Sequence, residues 1–263
     1  MRRCRVRAAL AQLAVAACAS ATLARPAAAQ SAEWLARVDY TLLWSGIAAA
    51  DPRFTWQGRV ALDADLVDYG SGRLTFGADY EAFLGGERRR YDLNQGTYRF
   101  EMTASRRTPG VEVAGLFQHV SRHLVDRENP PAVSWNTLGV RVGARLDRGR
   151  TTVRGRLDLA RAMQQAYVDY AWTSDAAVSV RHALPAHRRV SLLAGATGAV
   201  VGVRRAQYGR PRVCGGRIEG GLRIDGARAA VEIFVGYERR LDAFPTDRFR
   251  VRMWTIGFRL ASR

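Results

Sequence analysis

Three polar residues of the types used in acyl transfer lie close together near the middle of the chain. His119 and Ser121 are separated by one residue, and Asn136 opens the next apolar segment. An imidazole beside a hydroxyl takes its proton and makes it a nucleophile, and an amide that accepts from the imidazole fixes the tautomer of the ring. These residues therefore form a candidate relay, with Ser121 as nucleophile, His119 as general base and Asn136 as the orienting group.

The two segments that carry the relay, 110–123 and 136–146, alternate between apolar and polar positions, as β-strands do. Their apolar positions are Val111, Val113, Gly115 and Phe117 in the first segment and Leu138, Val140, Val142 and Ala144 in the second. Because successive side chains of a strand point to opposite faces, we expect a hairpin with one apolar face. His119, Ser121 and Asn136 fall on that face, at the end nearest the connecting loop.

The same alternation recurs along residues 30–263 in segments of about ten residues, which is typical of a transmembrane β-barrel. About twelve such segments can be counted, with short turns after every second one. The sequence therefore predicts an all-β fold, an antiparallel up-and-down barrel in a single domain. The region 163–176 is left open, as either a loop or the ends of two long strands.

Charged residues occupy the face opposite the apolar one in nearly every predicted strand. A soluble β-sandwich is the alternative fold, but its core does not hold arginines and acids together. In a barrel they would line the lumen, and their mixed signs predict a lumen closed by salt bridges. The predicted lumen residues are Arg59, Asp63, Asp79, Glu81, Arg99, Glu101, Arg141, Arg145, Arg154, Arg156, Asp158, Arg217, Glu219, Arg223 and Glu232.

Residues 1–29 have the pattern of a cleaved secretory signal peptide, with a basic start, an apolar stretch and an Ala-rich cleavage site. A lipoprotein signal cleaved before Cys18 is the alternative. With either cut the chain is exported, and Cys214 is the one cysteine left in the barrel segment, so no internal disulfide is expected.

All 41 basic residues are arginine, and the formal net charge is +17. Loss of residues 1–29 removes five arginines and no acid, which leaves +12. Export and the scattered placement of the arginines argue against a nucleic-acid partner. We expect the arginines to pair with acids in the lumen and to contact anionic headgroups of membrane lipids and lipopolysaccharide.

The pattern His119-x-Ser121 followed by Ser134-Trp135-Asn136 resembles outer-membrane phospholipase A. The resemblance implies a twelve-stranded barrel in the outer membrane with a Ser-His-Asn triad on its lipid-facing surface. It also implies Ser121 as nucleophile, His119 as base and Asn136 as orienting amide, with calcium as a cofactor and a homodimer as the active form. Asp126 and Glu128, in the loop between the two arms, are candidate calcium ligands.

A non-catalytic barrel, either structural or a narrow pore, is the alternative function. The polar residues of the relay would then belong to a girdle at the membrane interface, with Trp135 in the aromatic belt. An adhesin or receptor is a third class, but no distinctive loop in the sequence favours it.

Overall fold

The computed structural model describes residues 32–86, 91–124, 133–187, 189–204, 211–241 and 251–262. They form twelve strands: β1 (Glu33–Ala49), β2 (Trp56–Asp68), β3 (Arg73–Gly85), β4 (Asp92–Thr108), β5 (Val111–Leu124), β6 (Val133–Arg148), β7 (Thr151–Ala166), β8 (Tyr170–Ala183), β9 (Val190–Val203), β10 (Arg212–Asp225), β11 (Ala229–Arg240) and β12 (Val251–Ser262).

Each strand pairs antiparallel with its neighbours in sequence, and β1 pairs with β12 to close the sheet. The prediction of an antiparallel barrel of about twelve strands is confirmed. The predicted signal peptide, residues 1–29, lies outside the described residues. Within the described ranges, no helix has the length and apolarity needed to cross a membrane.

The connections between strands differ at the two ends of the barrel. Tight turns join β4 to β5 and β6 to β7, where Gly110 and Gly149 adopt positive φ angles of 78° and 58° that a side chain would disfavour. Short turns lie on the periplasmic side of such barrels, so the opposite end is the outer end. There β7 runs to Ala166 and β8 starts at Tyr170, so the region left open from sequence consists mostly of the ends of two long strands.

Large apolar side chains are exposed all around the outside of the barrel. Every strand except β3 contributes one that is well exposed: Leu42, Val60, Phe100, Phe117, Leu138, Leu159, Val178, Leu192, Ile218, Ile233 and Trp254. A soluble protein does not expose a continuous apolar band of this size, whereas hydrocarbon solvates it. The outer wall therefore faces lipid.

Arginines and acids meet inside the barrel, as predicted. Arg141 binds Asp158 at 2.8 Å and Glu101 at 3.0 Å. Arg240 on β11 forms an ion pair with Glu81 on β3, four strands away around the sheet, so this contact crosses the lumen. Buried charges in a low dielectric are tolerated when they are paired in this way.

Apolar side chains line the inside of the barrel at its outer end. One cluster contains Phe54, Phe83 and Met253, and Arg240 lies over the ring of Phe83 at 4.4 Å. A second contains Val120 and Trp135. Between these clusters and the ion pairs the lumen keeps a cavity of about 590 Å³.

We expect the purified barrel to show no stable ion conductance in planar lipid bilayers. Within the described part of the barrel, the Arg240–Glu81 ion pair bridges the lumen and the apolar clusters line its outer end, and both features narrow the path for a hydrated ion. Single-channel recording at several voltages measures this directly. Steady, reproducible conductance steps would contradict the closed lumen and favour the pore function.

Candidate active site

The register of three neighbouring strands brings the predicted relay residues to one place. His119 on β5 lies opposite Asn136 on β6, and Phe100 on β4 lies opposite His119 on its other side. Directly paired residues of antiparallel strands place their side chains on the same face. Phe100 and Leu138 are exposed on this face, so the relay residues sit on the lipid-facing wall near its outer end.

His119 and Asn136 are hydrogen-bonded, with 2.6 Å between the imidazole Nδ1 and the amide Oδ1. The amide nitrogen of Asn136 donates in turn to Oε1 of Gln164 on β7, at 3.2 Å. Because the amide nitrogen of Asn136 donates to Gln164, the amide oxygen of Asn136 faces the imidazole ring and accepts from its Nδ1–H. The chain Gln164–Asn136–His119 thus assigns the proton to Nδ1 and leaves Nε2 as a base.

The ring of His119 is also held from the other side. It stacks on Phe100 with 6.4 Å between ring centroids and an interplanar angle of 21°. Stacking against a fixed aromatic ring limits rotation of the imidazole about its Cβ–Cγ bond. The base of the predicted relay is therefore positioned by two strands, one on each side of its own.

Ser121 makes a different contact from the one that sequence alone suggested. Its hydroxyl is hydrogen-bonded to Nε2 of His123, at 2.7 Å, on the side away from His119. The ring of His123 meets Tyr98 edge to face, with centroids 5.8 Å apart. The structure thus brings together His119 with Asn136 and Ser121 with His123, and the serine lies between two imidazoles on one strand face.

The inward side of the same strands forms a rigid support. Val120 lies between His119 and Ser121 in the sequence, and Trp135 directly precedes Asn136. Both are buried in the apolar cluster at the outer end. Gln118, one position before His119, donates to Glu101 at 2.6 Å. A site held on paired strands with a packed rear face keeps its geometry better than one held on a loop.

The roles of His123, Gln164 and Phe100 had not been predicted. The two-residue period of a strand places His123 on the face of Ser121, which was a usable signal. Gln164 and Phe100 come from strands whose register the sequence does not reveal.

Residues that could bind calcium are not assembled in the described part of the barrel. Asp126 and Glu128, the predicted ligands, lie outside the described residues. Among the residues that are described, no group of three His, Cys, Asp or Glu side chains is arranged to hold a metal ion. The chemistry below is therefore derived from the protein side chains alone.

The other predicted polar positions carry no comparable arrangement. Cys214 is partly exposed and forms no disulfide with another described residue. His182 is hydrogen-bonded to Thr151 at 2.9 Å near the periplasmic end, away from the relay.

Comparison with solved structures shows the fold. The outer membrane phospholipase A from Escherichia coli is similar with a TM-score of 0.53 and 12% identity, over 84% of this chain and 92% of that one. The calcium-bound dimer of the Salmonella typhi outer membrane phospholipase gives a TM-score of 0.52 at 12% identity, over 91% and 94%. No family model and no curated protein sequence matches this chain. The chain is an outer-membrane β-barrel in fold and location.

Proposed function

We propose that this barrel is a lipid acyl-ester hydrolase acting at the outer surface of the outer membrane. The observation that carries the proposal is the 2.6 Å hydrogen bond between His119 and Asn136 on the lipid-facing wall, beside Ser121. A polar pair with a defined tautomer has little structural use on a surface that faces hydrocarbon. At the headgroup boundary it lies level with the ester bonds of lipids, which are the natural substrates.

In the proposed reaction Ser121 Oγ attacks the ester carbonyl carbon while Nε2 of His119 accepts the hydroxyl proton. Asn136 holds the resulting imidazolium through its Nδ1–H. The tetrahedral intermediate collapses, and the leaving alcohol of the lysolipid takes the proton from His119. Water then attacks the acyl-serine, His119 accepts its proton and returns it to Ser121 Oγ, and the fatty acid is released.

Before attack, the serine hydroxyl must leave His123. The side chains at 119 and 123 lie two positions to either side of Ser121, so rotation about its Cα–Cβ bond redirects the hydroxyl from one imidazole to the other. His123 thus holds the hydroxyl in the resting enzyme, and His119 is the base in the reaction.

Replacing His123 by alanine is expected to raise the rate of fatty-acid release. The hydrogen bond from Ser121 to His123 no longer has to be broken, and a bond of about 1 kcal/mol corresponds to roughly a fivefold increase. Initial rates on phospholipid micelles and labelling of Ser121 by a fluorophosphonate probe measure the effect.

The matched variant His119→Ala, on the other side of the serine, should lose both hydrolysis and labelling. If His123→Ala loses activity to the same extent while His119→Ala keeps it, His123 is the base and the assigned roles are reversed. If neither replacement changes the hydrolytic rate, the whole site assignment fails.

Calcium dependence and dimer formation are proposed from the sequence resemblance, together with cleavage of residues 1–29 on export. The Salmonella typhi phospholipase is a dimer with bound calcium, which is a property of that protein. Hydrolysis by this chain measured with EDTA and after return of calcium tests the first proposal. Chemical crosslinking in detergent tests dimer formation, and sequencing of the mature N-terminus tests cleavage of residues 1–29.

A further inference from the structure

A second polar feature lies on the lipid-facing wall, across β7 to β10. Register pairs Arg161 with Trp172, Trp172 with Gly202, and Gly202 with Arg212. Laterally paired residues share a face of the sheet, and Leu138, which pairs with Arg161 on the other side, is exposed on the outside. We call these four residues the arginine row.

The arginine row lies near the upper edge of the apolar wall. On β7 the exposed Leu159 lies two positions below Arg161, and on β8 Val178 lies below Trp172. On β10 the side chains below Arg212 on the same face include Ile218 and Leu222, both exposed. On β8 and β10 these exposed apolar side chains lie below the row, and on β7 the exposed Met163 lies just above Arg161. The row therefore lies near the level of the lipid headgroups.

The absence of a side chain at Gly202 leaves the space that the indole of Trp172 occupies. A Cβ at position 202 would lie 2.0 Å from the indole Nε1, so glycine is needed for the indole to lie across β9. The guanidinium of Arg212 sits 5.9 Å from the centre of the same ring. Beside the indole is an open groove of about 610 Å³ lined by Arg161, Trp172 and Arg204.

Among the described residues, the three arginines of this surface have no acidic partner. Within the described residues, Arg161, Arg204 and Arg212 form no ion pair; the polar contact of Arg204 is with the backbone oxygen of Ala162 at 3.5 Å. Inside the barrel, by contrast, Arg141, Arg223 and Arg259 are each paired with acids. The counter-ion of the outer arginines is therefore expected to come from the surroundings.

We propose that the arginine row, with Arg204, binds the phosphates of an outer-leaflet glycolipid that carries more than one phosphate, as lipopolysaccharide does. Arg161 and Arg212 stand three strands apart, which is about 14 Å at the usual strand spacing. One phosphate does not span that distance, whereas two phosphates on a disaccharide head do. Guanidinium groups bind phosphate through paired hydrogen bonds, and Trp172 offers a flat face to the sugar.

Space for the acyl chains lies directly below. Ala176, Gly198 and Gly216 are laterally paired across β8 to β10 and form a strip of small residues on the same face. At Gly198 an added Cβ would meet nothing within 4 Å, so packing within the chain does not require glycine there. The strip runs parallel to the arginine row, four residues below it along each strand, and its small side chains leave room for acyl chains to lie against the wall.

The test uses the full refolded barrel in a neutral detergent and four probes: bis-phosphorylated lipid A, monophosphorylated lipid A, phosphatidylglycerol and inorganic phosphate. Native mass spectrometry reports the fraction of barrel carrying each. We expect bis-phosphorylated lipid A to bind most tightly, and the double variant Arg161→Gln, Arg212→Gln to weaken it about tenfold or more. The control is Arg252→Gln, which removes an exposed arginine at the outer end of β12 and should bind like the unmodified barrel.

Gly198→Leu provides a second variant that leaves every arginine in place. It should keep the heat-modifiable gel mobility of a folded barrel and yet weaken lipid A binding, because the leucine side chain fills the open space at Gly198. Equal affinity of the double variant and the control would overturn the proposal, as would equal binding of phosphatidylglycerol or free phosphate. None of these measurements depends on hydrolytic activity.

Discussion

Ser121→Ala is expected to abolish hydrolysis of phospholipid esters, with a loss of roughly 10⁴-fold or more in kcat/KM. Without the hydroxyl no acyl-serine forms, and the remaining residues of such a relay contribute little by themselves. The measurement is fatty-acid release from mixed phospholipid micelles by the refolded protein.

Ser174→Ala is the matched control for this substitution. Ser174 lies on β8, on the lipid-facing side of the barrel and away from His119, and its loss should leave hydrolysis unchanged. Both variants should keep the gel mobility of the folded barrel. Full hydrolytic activity in Ser121→Ala would remove Ser121 as the nucleophile and, with it, the function proposed for this wall.

Arg240→Ala is expected to lower the free energy of unfolding by about 3–5 kcal/mol, the usual cost of removing one partner of a buried ion pair. Arg240 pairs with Glu81 across the lumen and also contacts Glu238 at 3.3 Å. Its removal leaves two carboxylates with reduced compensation inside the barrel. Denaturant unfolding in lipid vesicles, followed by tryptophan fluorescence, measures the change.

Arg145→Ala is the corresponding control because it also breaks an arginine–acid pair. The Arg145–Asp147 pair is 2.7 Å long but about half exposed on both sides, and pairs of that kind contribute about 0–1 kcal/mol. If both variants lower the free energy of unfolding equally, the ion pair across the lumen contributes no more to stability than the exposed pair does.

Prediction from sequence was strongest where the signal is local. β9 spans Val190–Val203, and its bounds can be predicted because arginines at 189 and 204 flank an uncharged run there. The turns at Gly110 and Gly149 were also predictable, since a tight turn needs glycine at a positive φ. The ends of β7 and β8 were not, because polar residues such as Gln164 and Gln165 give no alternation to read.

The candidate site was predictable only in part. The two-residue period of a strand predicted that His119, Ser121 and His123 share one face. The apolar run that begins after Asn136 predicted that this residue lies near the start of the next strand. Which imidazole the serine hydroxyl meets is a matter of side-chain rotamers, and the structure pairs it with His123. Sequence spacing contains no information on that choice, because both histidines are two residues away.

The order of residues along the chain thus determined the alternation of apolar and charged positions, and hence a barrel with lipid outside and arginines paired inside. Closure of the sheet and the register between strands were decided only in the tertiary structure. They set Asn136 beside His119, Arg240 across from Glu81, and Arg161 level with Arg212. The physical reason is that alternation specifies which face a side chain occupies, whereas its lateral neighbours depend on how far each strand slides along the next.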